Sequence, residues 1–507
     1  VKEDSGAPGL SEVKQVKITI IFPGRSLETA KPTGSVMPLA PTLLAALTPD
    51  EHEVSLVDMF FGDQVDYESD VDVVAITVRT PLAVIAYEIA DNFLKREKKV
   101  ILGGPHIFAF PEEAKQHASA VAIGEGEDLW PIILKDTEQN KLKDFYVCGP
   151  YGVDRLDGTV FHKKEKPTLK NLPMMRRDLL PRKRYFMDSI FTTRGCPNHC
   201  RFCPVTDIFG PRIRHRPIDE VVAEVATLGK RYFIVDDSVF GHPQIVERPQ
   251  ESQYYLDLYR ELAQLRPKRL WTGAGGLSAV NYKSGREILE LAAESGLCSI
   301  AAGLESISAE GQKQSGAWRK LHYTSPDTFD IHKMKANIRT IQSLGIEVKG
   351  FFIIGWDEDT LETYRRTLDF CDECNIIPFI FTLTPMPGSQ IYREYLEAGK
   401  IFTDRPWDHY GGGYIVYRHP TMSPEEMFDF NAEVMREGYS MKRILERMLQ
   451  AVRYRLSLDV ATSSFFTQMG LRKAYRQLYE QTPRPVAQDY KPEASAHLRE
   501  DGSRQGR

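Results

Sequence analysis

Three cysteines, Cys196, Cys200 and Cys203, stand in the run Arg194-Gly195-Cys196-Pro197-Asn198-His199-Cys200-Arg201-Phe202-Cys203-Pro204, a C-x3-C-x2-C spacing. A 4Fe–4S cluster normally takes four thiolates. Three on one short loop leave one iron open, and an open iron can bind a substrate as well as pass electrons. Structural zinc wants four closed ligands, usually as two C-x2-C pairs. Only Cys200 and Cys203 of this loop have pair spacing, and His199, inside the loop, reaches poorly as a fourth ligand. The spacing therefore points to a cluster with one reactive corner.

Such a loop needs a rigid frame. Ser189–Arg194 reads as a strand entering it, and Arg231–Asp236, Arg269–Gly273, Ser299–Ala302, Val348–Ile354 and Phe379–Leu383 read as five more. Helical stretches such as Ile218–Leu228 and Ser284–Glu294 separate them, so residues 186–400 are expected to form a partial (β/α)6 barrel. In such barrels chemistry gathers at the carboxyl ends of the strands. Upstream, residues 16–135 alternate short apolar strands (Val16–Phe22, Glu53–Asp58, Val71–Val78, Lys99–Leu102, Ala120–Ile123) with helices at Met37–Leu47 and Pro81–Lys95. That order predicts a doubly wound, Rossmann-like parallel sheet covered on both faces. Residues 136–185 are charged and turn-rich and read as a connector, 401–480 as a helical domain, and 1–15 and 481–507 as flexible ends.

The 507 residues are 42% hydrophobic and 27% charged, ordinary globular composition, and the net charge of −5 argues against a nucleic-acid surface. No stretch is long and apolar enough to span a membrane, and the start carries no secretory signal. Seven cysteines in so long a chain do not form a disulfide framework, so a reduced cytoplasmic setting is expected. Cys371 and Cys374 form a C-x2-C pair, but they follow a helix and have no partner pair, which favours two packed helix residues over a second metal site. Met441, Ile444, Leu445, Met448, Val452 and Leu456 repeat at helical spacing among arginines. A basic amphipathic helix of this kind can rest on an anionic membrane, but the plainer expectation is a helix packed on the barrel.

The cysteine loop, with the aromatic Phe202 before its third cysteine, resembles that of the radical S-adenosylmethionine (radical SAM) superfamily. The resemblance extends over residues 16–470, to the class with a cobalamin-binding domain before the barrel and the subgroup of hopanoid C-methylases and the anaerobic Mg-protoporphyrin ester cyclase. It rests on Pro38-Leu39-Ala40, Val73–Thr77, Val100–His106 and Ile123–Glu127 in the first domain. The D-x-H-x-x-G cobalt-ligand motif is missing. The resemblance implies that the open iron chelates S-adenosylmethionine, with Phe202 against its adenine. Asp236 or Asp237, ending the second strand, would accept from its amino group; the alternative role is a helix N-cap. Glu305 would hold its ribose hydroxyls or carboxylate end, and Gly350 to Ile354 would pack on adenine. Thr77, Gly103, Gly104, Gly124, Glu125 and Gly126 are the candidate cobalamin contacts. No catalytic residue beyond these can be singled out.

The implied reaction is cleavage of S-adenosylmethionine to a 5′-deoxyadenosyl radical, followed by cobalamin-dependent methyl transfer to an unactivated carbon. A cyclase, hydroxylating or carbon–carbon coupling enzyme is the alternative, and a nonenzymatic cobalamin or redox sensor a third. The subgroup and apolar aromatics such as Phe351, Phe352 and Trp356 favour a bulky apolar substrate, a lipid or a tetrapyrrole. Ferredoxin or flavodoxin is the implied electron donor.

Overall fold

A computed structural model describes residues 15–24, 36–243, 248–453 and 458–485. The expected flexible ends lie outside the described residues, except for 15 and 481–485. The first sheet has seven parallel strands: β1 Lys17–Phe22, β2 Glu53–Asp58, β3 Val73–Thr77, β4 Lys99–Gly103, β5 Ala120–Ile123, β6 Phe145–Cys148 and β7 Val160–Lys163, in the order β2-β1-β3-β4-β5-β6-β7. Alternate residues supply two cores. Val74, Ile76 and Leu102 face the helix Ala83–Leu94 and its Ala86, Ile89 and Phe93. Val73, Ala75 and Ile101 face the helix Gly126–Glu138 through Leu129, Trp130 and Ile133. Burial on both faces is what a parallel sheet requires.

Two of the seven strands, β6 and β7, come from the stretch that reads as a connector. Phe145–Cys148 is only four residues long and sits between charged segments, while Val160–Lys163 is a half-buried edge strand. Neither leaves an apolar run long enough to stand out.

The second sheet is the barrel: β8 Asp188–Ile190, β11 Arg231–Ile234, β12 Leu270–Gly275, β13 Leu297–Glu305, β14 Glu347–Ile354 and β15 Ile377–Thr382, all parallel and in chain order. The expected entry strand Ser189–Arg194 is split. After β8, a short strand β9, Thr193–Arg194, leaves the barrel to pair antiparallel with β10, Arg214–His215. Asp236 causes the break: its carboxylate accepts from the amides of Thr192 (2.7 Å) and Thr193 (3.0 Å) and from both hydroxyls.

Buried ion pairs tie the two sheets together. Arg194 reaches Glu127 at 2.6 Å and also pairs with Glu125, and Arg214 pairs with Glu125 at 2.7 Å. Burial works against the charge of Arg194, but the two carboxylates outweigh it and its pKa is raised. Glu125, 3% exposed, has its charge fully committed within the chain.

The C-terminal region is helical: Pro424–Gly438, Met441–Arg453 and Leu458–Gln481. Arg443 and Arg447 turn onto Asp372 of the helix Leu361–Glu373, and Ile444 is buried. The packed-helix expectation describes this element, although Leu445 and Leu449 are exposed; Leu456 lies outside the described residues. Cys371 and Cys374 are buried core residues. Among the described residues no helix is long and apolar enough to cross a membrane.

Candidate active site

The cysteine loop runs from β9 to the helix Val205–Phe209. Gly195 opens it at φ +112°, where a Cβ would stand 2.3 Å from the Arg212 carbonyl oxygen. The loop is pinned at several points. Cys196 N–H donates to Gly210 O (3.1 Å) and Cys203 N–H to Cys200 O (3.0 Å). Thr206 Oγ1 donates to Cys196 O at 2.8 Å. Arg201 anchors the far side, donating from its backbone to Ser315 O (3.0 Å) and from its guanidinium to Gln314 O (2.8 Å), while Ile391 N–H donates to its carbonyl (2.9 Å).

Three free, partly buried thiols on one short loop are the donor set of a cluster with one open iron. Among the described residues no three His, Cys, Asp or Glu side chains gather round one metal-ion point. A cubane spreads its thiolates over separate corner irons. As free thiols, Cys196 and Cys200 are pushed up to about 12 by burial, so iron must displace their protons. Lys320 opposes the shift at both.

Beside the loop lies a cavity of about 550 Å³ at the carboxyl ends of the barrel strands. Phe202, Asp237 and Glu305 line it. Asp236, Gly350 and Ile354 do not. Asp236 is spent on Thr192 and Thr193, whereas Asp237 accepts from Gly195 N–H at 3.1 Å. Strand alternation turns Gly350 towards Ile376 and Leu304 and buries Ile354 in the core, while Phe351 and Ile353 point into the cavity.

Two cavity residues escaped the sequence reading. Lys320, from the turn Ala317–Leu321, forms a close ion pair with Glu305. Glu305 has φ +62° at the end of β13, a conformation costly for a residue with a side chain and frequent at functional sites. His242 lies in the wall after β11, with Nδ1 2.8 Å from Asn198 Nδ2. Neither belongs to a local motif, so nothing short of the fold could have found them.

Phe202 is backed by Trp356, edge-on at 6.4 Å. The turn carrying Trp356 is held by Asp359, whose carboxylate accepts from Gly355 N–H (2.8 Å) and Trp356 N–H (3.0 Å). Burial raises Asp359 from an ordinary value of 3.8 to about 6, with the two backbone amides opposing. Its contribution to stability is therefore fully present below pH 3.8 and is lost as pH rises through about 6. Asp359→Asn keeps an acceptor and does not titrate. Its melting midpoint relative to the wild type should climb between pH 5 and 7.5, by the equivalent of about 1.4 kcal/mol at most. A flat difference across that range would refute the assignment.

The candidate cobalamin residues lie at the carboxyl edge of the first sheet and divide into three groups. Gly104 and Gly124 are demanded by the chain itself: a Cβ would come within 2.8 Å of Val78 N and 2.4 Å of Cys148 O. Gly103 and Gly126 are not so demanded, since a Cβ there would meet nothing closer than 3.6 and 3.5 Å. Those two half-exposed positions, with Thr77 in register beside Gly103, fit the close approach of a broad ligand. Glu125, committed to Arg194 and Arg214, does not fit.

A six-stranded parallel barrel with a three-cysteine loop beside its strand-end cavity defines the class. Residues 190–371 match the Radical SAM superfamily, so the protein is an enzyme with a radical SAM domain, whose cofactors are a 4Fe–4S cluster and S-adenosylmethionine. The chain is 29% identical, over 87% of its length and 94% of the relative's, to the bacteriochlorophyllide d C-8(2)-methyltransferase of Chlorobaculum tepidum. The C-12(1)-methyltransferase of the same organism is 28% identical over 81% of this chain and 84% of its own. The fold is similar to that of the cobalamin-dependent S-adenosylmethionine radical enzyme OxsB with aqua-cobalamin and S-adenosylmethionine bound (TM-score 0.64, 14% identity, 94% of this chain and 82% of that one).

Proposed function

We propose that this protein is a corrinoid-dependent radical C-methyltransferase acting on a flat, apolar substrate of the tetrapyrrole class. The observation carrying the substrate reading is an aromatic face inside the barrel. Phe351 and Phe379 stack at 4.7 Å and 2°, and Phe381 continues the stack at 5.6 Å and 28°. Phe381 is 43% exposed, unusual for a large aromatic beside a core, and it lines the cavity with Phe351. A planar conjugated ring can lie on such a surface, with offset stacking adding to area burial. The two bacteriochlorophyllide methyltransferases support the same substrate class.

In this reading Phe202 meets the adenine, and Asp237 accepts from the amino group of S-adenosylmethionine. Glu305 takes the ribose hydroxyls, and Lys320 faces the carboxylate. Gly103, Gly126 and Thr77 let the corrinoid approach. Bound there, the cluster and S-adenosylmethionine supply an adenosyl radical, and the corrinoid a methyl group. The residues hold the reactants in line and keep water out. Ferredoxin or flavodoxin supplies the electron. A reduced compartment such as the cytoplasm suits the site, and all seven cysteines are free.

The test is anaerobic expression with cobalamin, then incubation with reductant, S-adenosylmethionine and bacteriochlorophyllide d. We expect corrinoid absorption in the purified protein, 5′-deoxyadenosine, and a pigment heavier by one methylene. Corrinoid-free protein that still converts pigment to another product would overturn methyl transfer in favour of cyclisation, hydroxylation or coupling.

A further inference from the structure

Opposite the aromatic face, one polar side chain is built into the cavity wall with a role left open. His242 is 3% exposed and lines the cavity. The turn before it is held rigidly. Ser238 Oγ donates to Gly241 O at 2.6 Å, Val239 N–H donates to Ala274 O at 2.9 Å, and the Tyr259 hydroxyl donates to Val239 O. The ring itself is oriented from the cysteine loop. Asn198 Nδ2 can only donate, so Nδ1 of His242, 2.8 Å away, accepts and the ring proton sits on Nε2. Nε2 has no hydrogen-bond partner among the described residues.

The ring is buried, but Nε2 is not among the fully enclosed unpartnered atoms, so its N–H must find an acceptor in the cavity. A donor fixed at both its backbone and its ring, yet aimed into a cavity, is preorganised for something that arrives there. We infer that His242 contacts the substrate, its Nε2–H donating a hydrogen bond to a substituent oxygen at the edge of the planar molecule seated on Phe351 and Phe381. The inference rests on the substrate class proposed above. It places the apolar face on β14 and β15 and the polar anchor across the barrel, after β11, so that one wall supplies area and the other fixes which edge of the ring faces the cluster loop. Burial and the nearby Lys320 lower the His242 pKa to about 3, so the ring is neutral at physiological pH. It therefore acts as a donor and not as a cation.

The test uses reconstituted protein and measures two bindings separately: bacteriochlorophyllide d by fluorescence quenching and S-adenosylmethionine by equilibrium dialysis. His242→Phe and His242→Leu remove the donor, while His242→Gln keeps an N–H. We expect whichever apolar variant folds to bind the pigment about tenfold more weakly, the loss of one buried hydrogen bond. His242→Gln should recover most of that, with S-adenosylmethionine affinity unchanged throughout. Weakened S-adenosylmethionine binding with normal pigment binding would overturn the inference by assigning the donor to the cofactor. Unchanged binding of both would overturn it by leaving His242 a wall residue. If the wild type does not bind the pigment at all, the substrate class fails first, and the contact falls with it.

Discussion

Replacing any one of Cys196, Cys200 and Cys203 by alanine is expected to reduce 5′-deoxyadenosine formation to assay background while leaving the protein folded. The loss is total because the tripod has no spare ligand: His199 is exposed, and no other cysteine joins the loop. The fold survives because the loop's shape rests on bonds that do not involve sulfur. Gly210, Ser315, Gln314 and Ile391 hold the backbone of Cys196 and both ends of Arg201. Iron content and the visible absorption of anaerobically reconstituted variants should fall together, with melting midpoints of the cluster-free proteins close to the wild type. A variant that keeps turnover would refute the assignment of the cluster ligands.

The second large effect concerns Lys320 and Glu305. Lys320→Met strands a buried carboxylate, 6% exposed, beside the cavity. Breaking a buried pair in this way costs about 3–5 kcal/mol, whereas replacing both members by neutral groups is often nearly neutral. The double variant Lys320→Met/Glu305→Gln should therefore regain most of the lost melting midpoint. It should not regain affinity for S-adenosylmethionine, which on our reading needs both side chains. Recovery of cofactor binding along with stability would show the pair to be structural only.

The cysteine spacing carried the cluster because a short loop fixes three ligands locally. The apolar strands stood out because burial on both faces leaves β-branched runs. That same double burial hid which face was which. The stretch from Gly350 to Ile354 reads as a strand, but inward Phe351 and Ile353 are as apolar as outward Phe352 and Ile354. For the acidic pair a usable signal existed. Tyr232 and Ile234 face the surrounding helices, and Asp236 continues their parity, leaving Asp237 for the cavity. Lys320 and His242 had no such signal, since each reaches the cavity through a turn placed only by the finished barrel.

The acids at 125 and 127 also bear on how freely this barrel can be recombined. Arg194 and Arg214 flank the iron-binding loop and have their counter-ions in the other half of the chain. A chimera that joins this barrel to a foreign N-terminal half lacking both acids would bury two uncompensated cations, one of them next to Gly195 and the other paired across from it on β10. A successful exchange would need a donor that brings matching carboxylates.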